Sequence, residues 1–283
     1  MTVDSVNDVL TGEMHVNTIA TPHRISKEIW SAIYNAKSYE ELLSLYFKRT
    51  SNQRNSDLSS IRDETKFIVG LILHKSPNIT LRRIEEVIAQ QIWNIDEQGI
   101  GPSLNTLLSN IKVVLKSFNP LLSGVVCAHV RDIKTNKSYG TSSYSASYTE
   151  VSRTLNFKNT YLPLKTYAHE LAHAIHYSLG IKCDANIDNE NTDRENWNTN
   201  VDINTETELA DTLANQWQKF TEGEFDSLRA YQRTNFNEFF AVSFEYLYRK
   251  QDDKETLYEE QPAMATIHER IRDRPESVFP STE

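Results

Sequence analysis

Apolar residues recur at helical spacing through the first third of the chain. Ile29, Ile33 and Tyr34 share one face, and Tyr39, Leu42, Leu43 and Tyr46 share the next. Ile61, Phe67, Ile68, Leu71 and Ile72 make a further apolar face. Thr80 is placed to cap a helix carrying Ile84, Val87, Ile88 and Ile92. Leu104, Leu107, Leu108, Ile111, Val114 and Leu115 form another. Gly99-Ile100-Gly101-Pro102 separates those two, and Asn119-Pro120 closes the run. Residues 1–23 are mixed and polar and read as a loose tail. The pattern predicts an N-terminal helical lobe over 24–120. That lobe shows no chemistry of its own, and its His74 reads as a structural or surface histidine.

Between Leu121 and Thr160 the pattern changes. Gly124 to Val130 is a short apolar, β-branched run. Residues 145–151 and 154–157 alternate as strands do, and Lys134-Thr135-Asn136-Lys137 resembles a turn. These features predict a small, largely antiparallel sheet, one edge of which could pair with an extended peptide. A helical pattern then resumes around Leu171. Residues 184–205 are rich in Asn and Asp and form a loop. Thr205-Glu206-Thr207-Glu208 caps a helix carrying Leu209, Leu213, Trp217 and Phe220. Further helices begin near Asn237 and near Lys254, the latter interrupted at Pro262. Residues 121–283 thus form a second lobe, and the fold class is α+β, mainly helical, with the sheet ahead of the central helix.

Composition narrows the functions. The 283 residues carry a net charge of −9 and show no dense Lys/Arg stripe, which argues against a nucleic-acid partner. Two cysteines, Cys127 and Cys183, make no disulfide framework. No apolar run is long enough to span a membrane. Met1 to Pro22 lacks the features of a secretory signal. The expectation is a cytoplasmic protein, or one that leaves its cell without such a signal.

The chemistry lies in His169-Glu170-Leu171-Ala172-His173. Residues four apart stack on one helical face, so His169 and His173 can aim two imidazoles at one point. That pair suits a zinc ion, and Glu170 beside the first ligand suits a general base. A core helix that merely carries two histidines is the plain alternative. The uncharged flanks, and Pro163 and Gly180 where a helix starts and stops, favour the site.

A catalytic zinc needs a third protein ligand. The candidates are Asp184, Asp188, Glu206, Glu208 and Glu238. His176 lies a turn further along nearly the same face and reads as an outer or surface residue. Glu206 and Glu208 are already explained by capping. Glu238 precedes Phe239 and Phe240, where a carboxylate is costly to bury unless it is paired or bound to a cation. On physical grounds Glu238 is the best third ligand.

His169-Glu170-x-x-His173 followed by Glu238-Phe239-Phe240-Ala241 resembles the glutamate-ligand zincins near the anthrax lethal factor protease domain. It is also similar to the Pro-Pro endopeptidases and the Mlc titration factor metallopeptidases. The resemblance spans roughly residues 154–248. It implies a zincin-like metallopeptidase lobe, a Zn2+ cofactor on His169, His173 and Glu238, and a protein or peptide substrate. It also implies a tyrosine seven residues before the glutamate ligand, facing the reacting carbonyl; here that residue is Tyr231. Under this reading Glu170 takes a proton from water and Tyr231 donates to the oxyanion. Use as a leaderless toxin or injected effector is motivated by the same resemblance.

Two competing readings belong beside it. A zinc-stabilised protein could capture a peptide without cutting it, although pure binding needs neither Glu170 nor Tyr231. Separately, residues 184–195 place oxygen ligands at EF-hand loop positions 1, 3, 5 and 12. They lack the glycine at position 6, so a solvated polar loop is the preferred reading.

Overall fold

The computed structural model describes residues 38–51, 58–98, 104–136, 145–158, 162–178, 207–222, 236–249 and 251–273. Tyr231, the loop 184–195, Glu206 and the early helical pattern at Ile29–Tyr34 lie outside them. The described helices are α1 (Tyr39–Ser51), α2 (Leu58–Lys75), α3 (Arg83–Ile92), α4 (Leu104–Leu115) and α5 (Pro120–His129). They continue with α6 (Leu164–Ser178), α7 (Thr207–Thr221), α8 (Phe236–Glu245), α9 (Gln251–Glu260) and α10 (Pro262–Asp273). Four strands, β1 (Asn94–Gln98), β2 (Asp132–Asn136), β3 (Ala146–Thr149) and β4 (Thr154–Phe157), make one sheet in the order β1-β2-β4-β3. The architecture is α+β and mainly helical, with the small sheet ahead of α6.

Several local expectations are corrected. Gly124 to Val130 is not a strand but most of α5 and its C-cap. Asn119-Pro120 does not close a helix; it opens this one. The Asn119 side chain accepts from the Leu121 amide at 2.8 Å, and Pro120 sits in the first turn, where its missing N–H costs nothing. The helix is buried on every side, so its sequence shows no amphipathic period to separate it from a buried strand. Nor does Lys134-Thr135-Asn136 form a turn: it lies in β2, with Lys134 and Thr135 paired on both sides and Asn136 paired with Gln98. The sheet is not largely antiparallel either. β1 with β2 and β2 with β4 run parallel, and only β3 with β4 is antiparallel. Parallel neighbours need a long crossover, and α4 and α5 supply the one between β1 and β2. Finally, α3 is capped at Arg82, not Thr80, with the Glu85 carboxylate accepting from the Arg82 amide at 2.9 Å.

Glycine sets the closest helix contact. A Cβ on Gly70 of α2 would lie 2.4 Å from the Ser123 carbonyl oxygen of α5. A Cβ on Gly124 would lie 2.6 Å from the Phe67 ring. The two backbones therefore approach as near as they do only because both side chains are absent. Buried charges nearby are paired: Lys112 Nζ lies 2.7 Å from Glu85 Oε2 and also donates to Ser76 and Thr80. His74 is partly buried, with Nδ1 3.2 Å from the Leu115 carbonyl.

One apolar cluster runs from Tyr39 to Ile271. Its centre is α6, which touches α4, α5, α8 and β3. From Tyr167 to His176 every α6 residue is buried. Phe157 of β4 stacks on Tyr167 at 4.9 Å. Trp217, Phe220, Phe236 and Phe239 form an aromatic set joining α7 to α8. On the far side of α8, His268 of α10 packs edge-on to Phe240 and Phe244. Its Nε2 meets the Ser243 hydroxyl at 2.8 Å, and its Nδ1 finds no partner among the described residues.

Two predictions follow from this packing. Gly70→Ala gains about 1 kcal/mol of helix propensity but must push α5 away, so it should destabilise by about 1–3 kcal/mol net, read by urea unfolding. For His268, burial pushes the pKa down to about 3 from 6.5. The unfolded chain binds that proton as pH falls through 6.5, whereas the folded chain does not until near 3. The stability contribution is thus present above 6.5 and lost between 6.5 and about 3. His268→Gln should make the fall in that window shallower, by up to about 1.4 kcal/mol per pH unit, when unfolding is measured at several pH values.

Candidate metal centre

Helix α6 places His169 and His173 one turn apart on its buried face. Their rings meet edge to face with centroids 4.9 Å apart. Helix α8 crosses them and presents Glu238. Its Oε2 lies 3.2 Å from His169 Nε2, and its Oε1 lies 3.6 Å from His173 Nε2. The reason Glu238 faces this way is the burial of its neighbours. Phe236, Phe239 and Phe240 are each almost fully buried, and each ring stabilises the fold by about 1.5–3 kcal/mol. With those three turned into the core, Glu238 is left half-buried on the side facing α6.

The donor set fits a tetrahedral cation. Donor atoms of His169, His173 and Glu238 all lie within 4.8 Å of one another. Bonds of about 2.0–2.1 Å at tetrahedral angles need donors about 3.3 Å apart. The two imidazole–carboxylate spacings, one to each oxygen of Glu238, lie on either side of that value. These are the three residues that the sequence put forward as a ligand set, and the structure brings them together. The group is the same whether the helix or the motif is taken as the starting point.

Glu170 lies on the same buried stretch and accepts from the Tyr148 backbone N–H. Burial pushes its carboxyl up to about 7; the His169 charge opposes this, and the neighbouring Glu238 adds to it. His169 and His173 move in opposite directions. Burial alone would lower His169, but hydrogen bonds to Glu238 and Glu245 outweigh it and raise it to about 10. Burial, then the His169 charge, takes His173 down to about 3. Three carboxyl groups therefore converge on two imidazoles, of which His169 alone is held in its charged form. The cluster is short of positive charge, which is the condition a bound cation relieves.

Residues that the sequence did not single out support this set. Glu245 is buried at the end of α8, seven residues past Glu238, and its Oε2 lies 3.1 Å from His169 Nδ1. The signal for it was the spacing: seven residues are about two helical turns, which returns to the same face. Tyr148 of β3 stacks its ring on His173 at 6.5 Å and places its hydroxyl 2.8 Å from His129 Nε2. The Asn237 side chain donates to the Tyr177 hydroxyl at 2.8 Å, tying the start of α8 to the end of α6 beside Glu238.

His176 is not brought to the donor set, nor is it a surface residue. It is fully buried among Tyr177, Phe236 and Phe240, and neither ring nitrogen has a partner among the described residues. Three residues beyond His173 turn it about 60° off the ligand face, toward the phenylalanines of α8. Burial drops its pKa to about 3, so it packs as a neutral ring. Asp184, Asp188, Glu206 and Tyr231 lie outside the described residues, as does the side chain of Glu208.

Residues 127–267 match the family model described as "Anthrax toxin lethal factor, N- and C-terminal domain". The chain is similar to that family over this stretch. It begins near the end of α5 and runs into α10, so it contains His169, Glu170, His173, Tyr231 and Glu238. No curated protein matches the chain.

The ligand set generates a direct test. Protein purified without added metal should contain about one zinc per chain. Glu238→Ala should empty most of it. Glu208→Ala should retain zinc and lose only about 1 kcal/mol of stability through its capping role. Metal analysis of both variants decides; an empty site in Glu208→Ala with a full one in Glu238→Ala reverses the assignment.

Proposed function

We propose that the protein is a zinc-dependent endopeptidase, built as a zincin-like lobe on His169, Glu170, His173 and Glu238. The observation that carries this reading is the meeting of α6 and α8. It brings donor atoms of two imidazoles and a carboxylate within 4.8 Å of one another, with the buried carboxyl of Glu170 beside them. A zinc ion held there would supply Lewis acidity to a carbonyl oxygen and to a water molecule.

The chain's own residues do the rest. Glu170 is oriented by the Tyr148 amide. With positive charge at the donor set it stays ionised at neutral pH, takes a proton from the attacking water and hands it to the leaving amine. Tyr148 holds the His173 ring by stacking on it. Tyr231 is assigned to the oxyanion on its place in the sequence, seven residues before Glu238. β3 is an edge strand of the described sheet, and Tyr148 within it touches both Glu170 and His173. An extended segment of a protein substrate pairing with this edge would pass alongside the ligands. The relation to a toxin family supports use as a toxin or effector that acts on another cell's proteins.

A mixture of denatured proteins, incubated with the purified chain and analysed for new termini, tests the reading. New termini should appear with the wild type and vanish with Glu170→Ala and after chelation. Equal cleavage by wild type and Glu170→Ala would end the proposal. On any peptide so found, Tyr231→Phe should keep its zinc but lose about 10²–10³ in kcat, because the hydroxyl counts only once charge develops on the oxygen. A tyrosine that merely packs would leave kcat near wild type.

A further inference from the structure

We propose that Glu245, braced by Arg249, is a positioning residue that fixes the tautomer and basicity of His169 and so sets the metal affinity of the centre. The proposal rests on the metallopeptidase reading above.

The two oxygens of Glu245 divide the work between them. Oε2 lies 3.1 Å from His169 Nδ1. Oε1 accepts from Arg249 Nε at 2.9 Å and from Arg249 Nη2 at 2.6 Å. The arginine is itself held. Its guanidinium lies 4.0 Å over the Tyr246 ring, and its side chain is almost fully buried. The chain tightens to a 3-10 turn over Tyr246–Tyr248, and the Arg249 amide closes that turn on the Tyr246 carbonyl at 3.2 Å. Lys165 of α6 comes within 4.0 Å of Oε1 as well. Both Arg249 nitrogens go to one oxygen of Glu245, which leaves the other for His169. Here the second oxygen meets the ring nitrogen opposite the one that faces Glu238.

That geometry has a chemical consequence. With Nδ1–H donated to a carboxylate, the only free lone pair of the imidazole is on Nε2. Nε2 is the atom 3.2 Å from Glu238, within the donor set. The hydrogen bond to an anion also makes Nε2 a stronger donor, and partners of this kind typically govern metal affinity by 10- to 100-fold. Arg249 keeps the carboxylate ionised and pointed. His173 is steadied differently, by the Tyr148 ring, so the two histidines are oriented by separate elements, α8 and β3. The seven-residue step from Glu238 to Glu245 puts ligand and positioning residue on one helix, so α8 docks on α6 through both ends of one imidazole.

The test measures zinc affinity of the full chain by competition with a chromophoric chelator, with the thermal midpoint of the zinc-free protein recorded alongside. Glu245→Gln should weaken zinc binding about tenfold or more. Because this leaves Arg249 buried without its partner, the double variant Glu245→Gln/Arg249→Met removes both charges and should keep a thermal midpoint near wild type. It should still bind zinc about tenfold or more weakly. Arg249→Lys keeps the charge but loses the fork, and should fall between wild type and Glu245→Gln. A double variant that binds zinc as tightly as wild type overturns the positioning role while leaving the metallopeptidase reading intact. A wild type that takes up no zinc overturns both.

Discussion

The structure depends on a concentration of negative charge in a dry place. Glu170, Glu238 and Glu245 are drawn around His169 and His173 at the meeting of α6 and α8. Like charges taken out of water are expensive, by several kcal/mol per ion. One imidazolium and the Arg249 fork offset part of that cost. The remainder must be carried by apolar packing around the cluster or relieved by a cation within it. Both answers are visible: the aromatic walls supply the first, and the donor spacing fits the second.

Packing explains how the cluster keeps its geometry. α6 is wrapped by α4, α5, α8 and β3, so its histidines have little room to turn. α8 is held from two sides, by Trp217 and Phe220 of α7 and by His268 of α10. Its phenylalanines turn into the core and leave Glu238 facing α6. The close α2–α5 contact at Gly70 and Gly124 belongs to the same core, because α5 packs directly against α6. The helices before residue 120 and those after residue 164 share one apolar cluster, so strain in either group reaches the centre through ordinary packing.

The neutral histidines mark the boundary of the site. His176 and His268 are as deeply buried as His173, yet they face phenylalanines instead of carboxylates. Burial lowers all three; Glu238 opposes this at His173 without overcoming it, whereas at His169 hydrogen bonds to Glu238 and Glu245 outweigh burial. The same residue type thus joins the candidate donor set or fills the core according to what lies opposite it.

Much of the site was legible in the sequence, because a helix fixes which residues share a face. Pairing His169 with His173 needed only the 3.6-residue period, and Glu170 came from its place in the motif between them. Glu238 needed only the observation that a carboxylate among phenylalanines requires a partner. The amphipathic helices α1, α2, α3 and α4 were visible for the same reason, and β4 was visible from its alternation. What the sequence could not decide was anything set by a partner distant along the chain. α5 reads as a strand because a helix buried on all sides has no polar face, and its partner in α2 lies about fifty residues earlier. β1 and β2 are polar segments that become strands only by pairing with each other and with β4. Glu245 looks like one more carboxylate on a helix until α6 brings an imidazole to it. Local sequence therefore picked out the candidate donor set, whereas the sheet's direction, the burial of His176 and the second carboxylate on His169 came from contacts that only the folded chain makes.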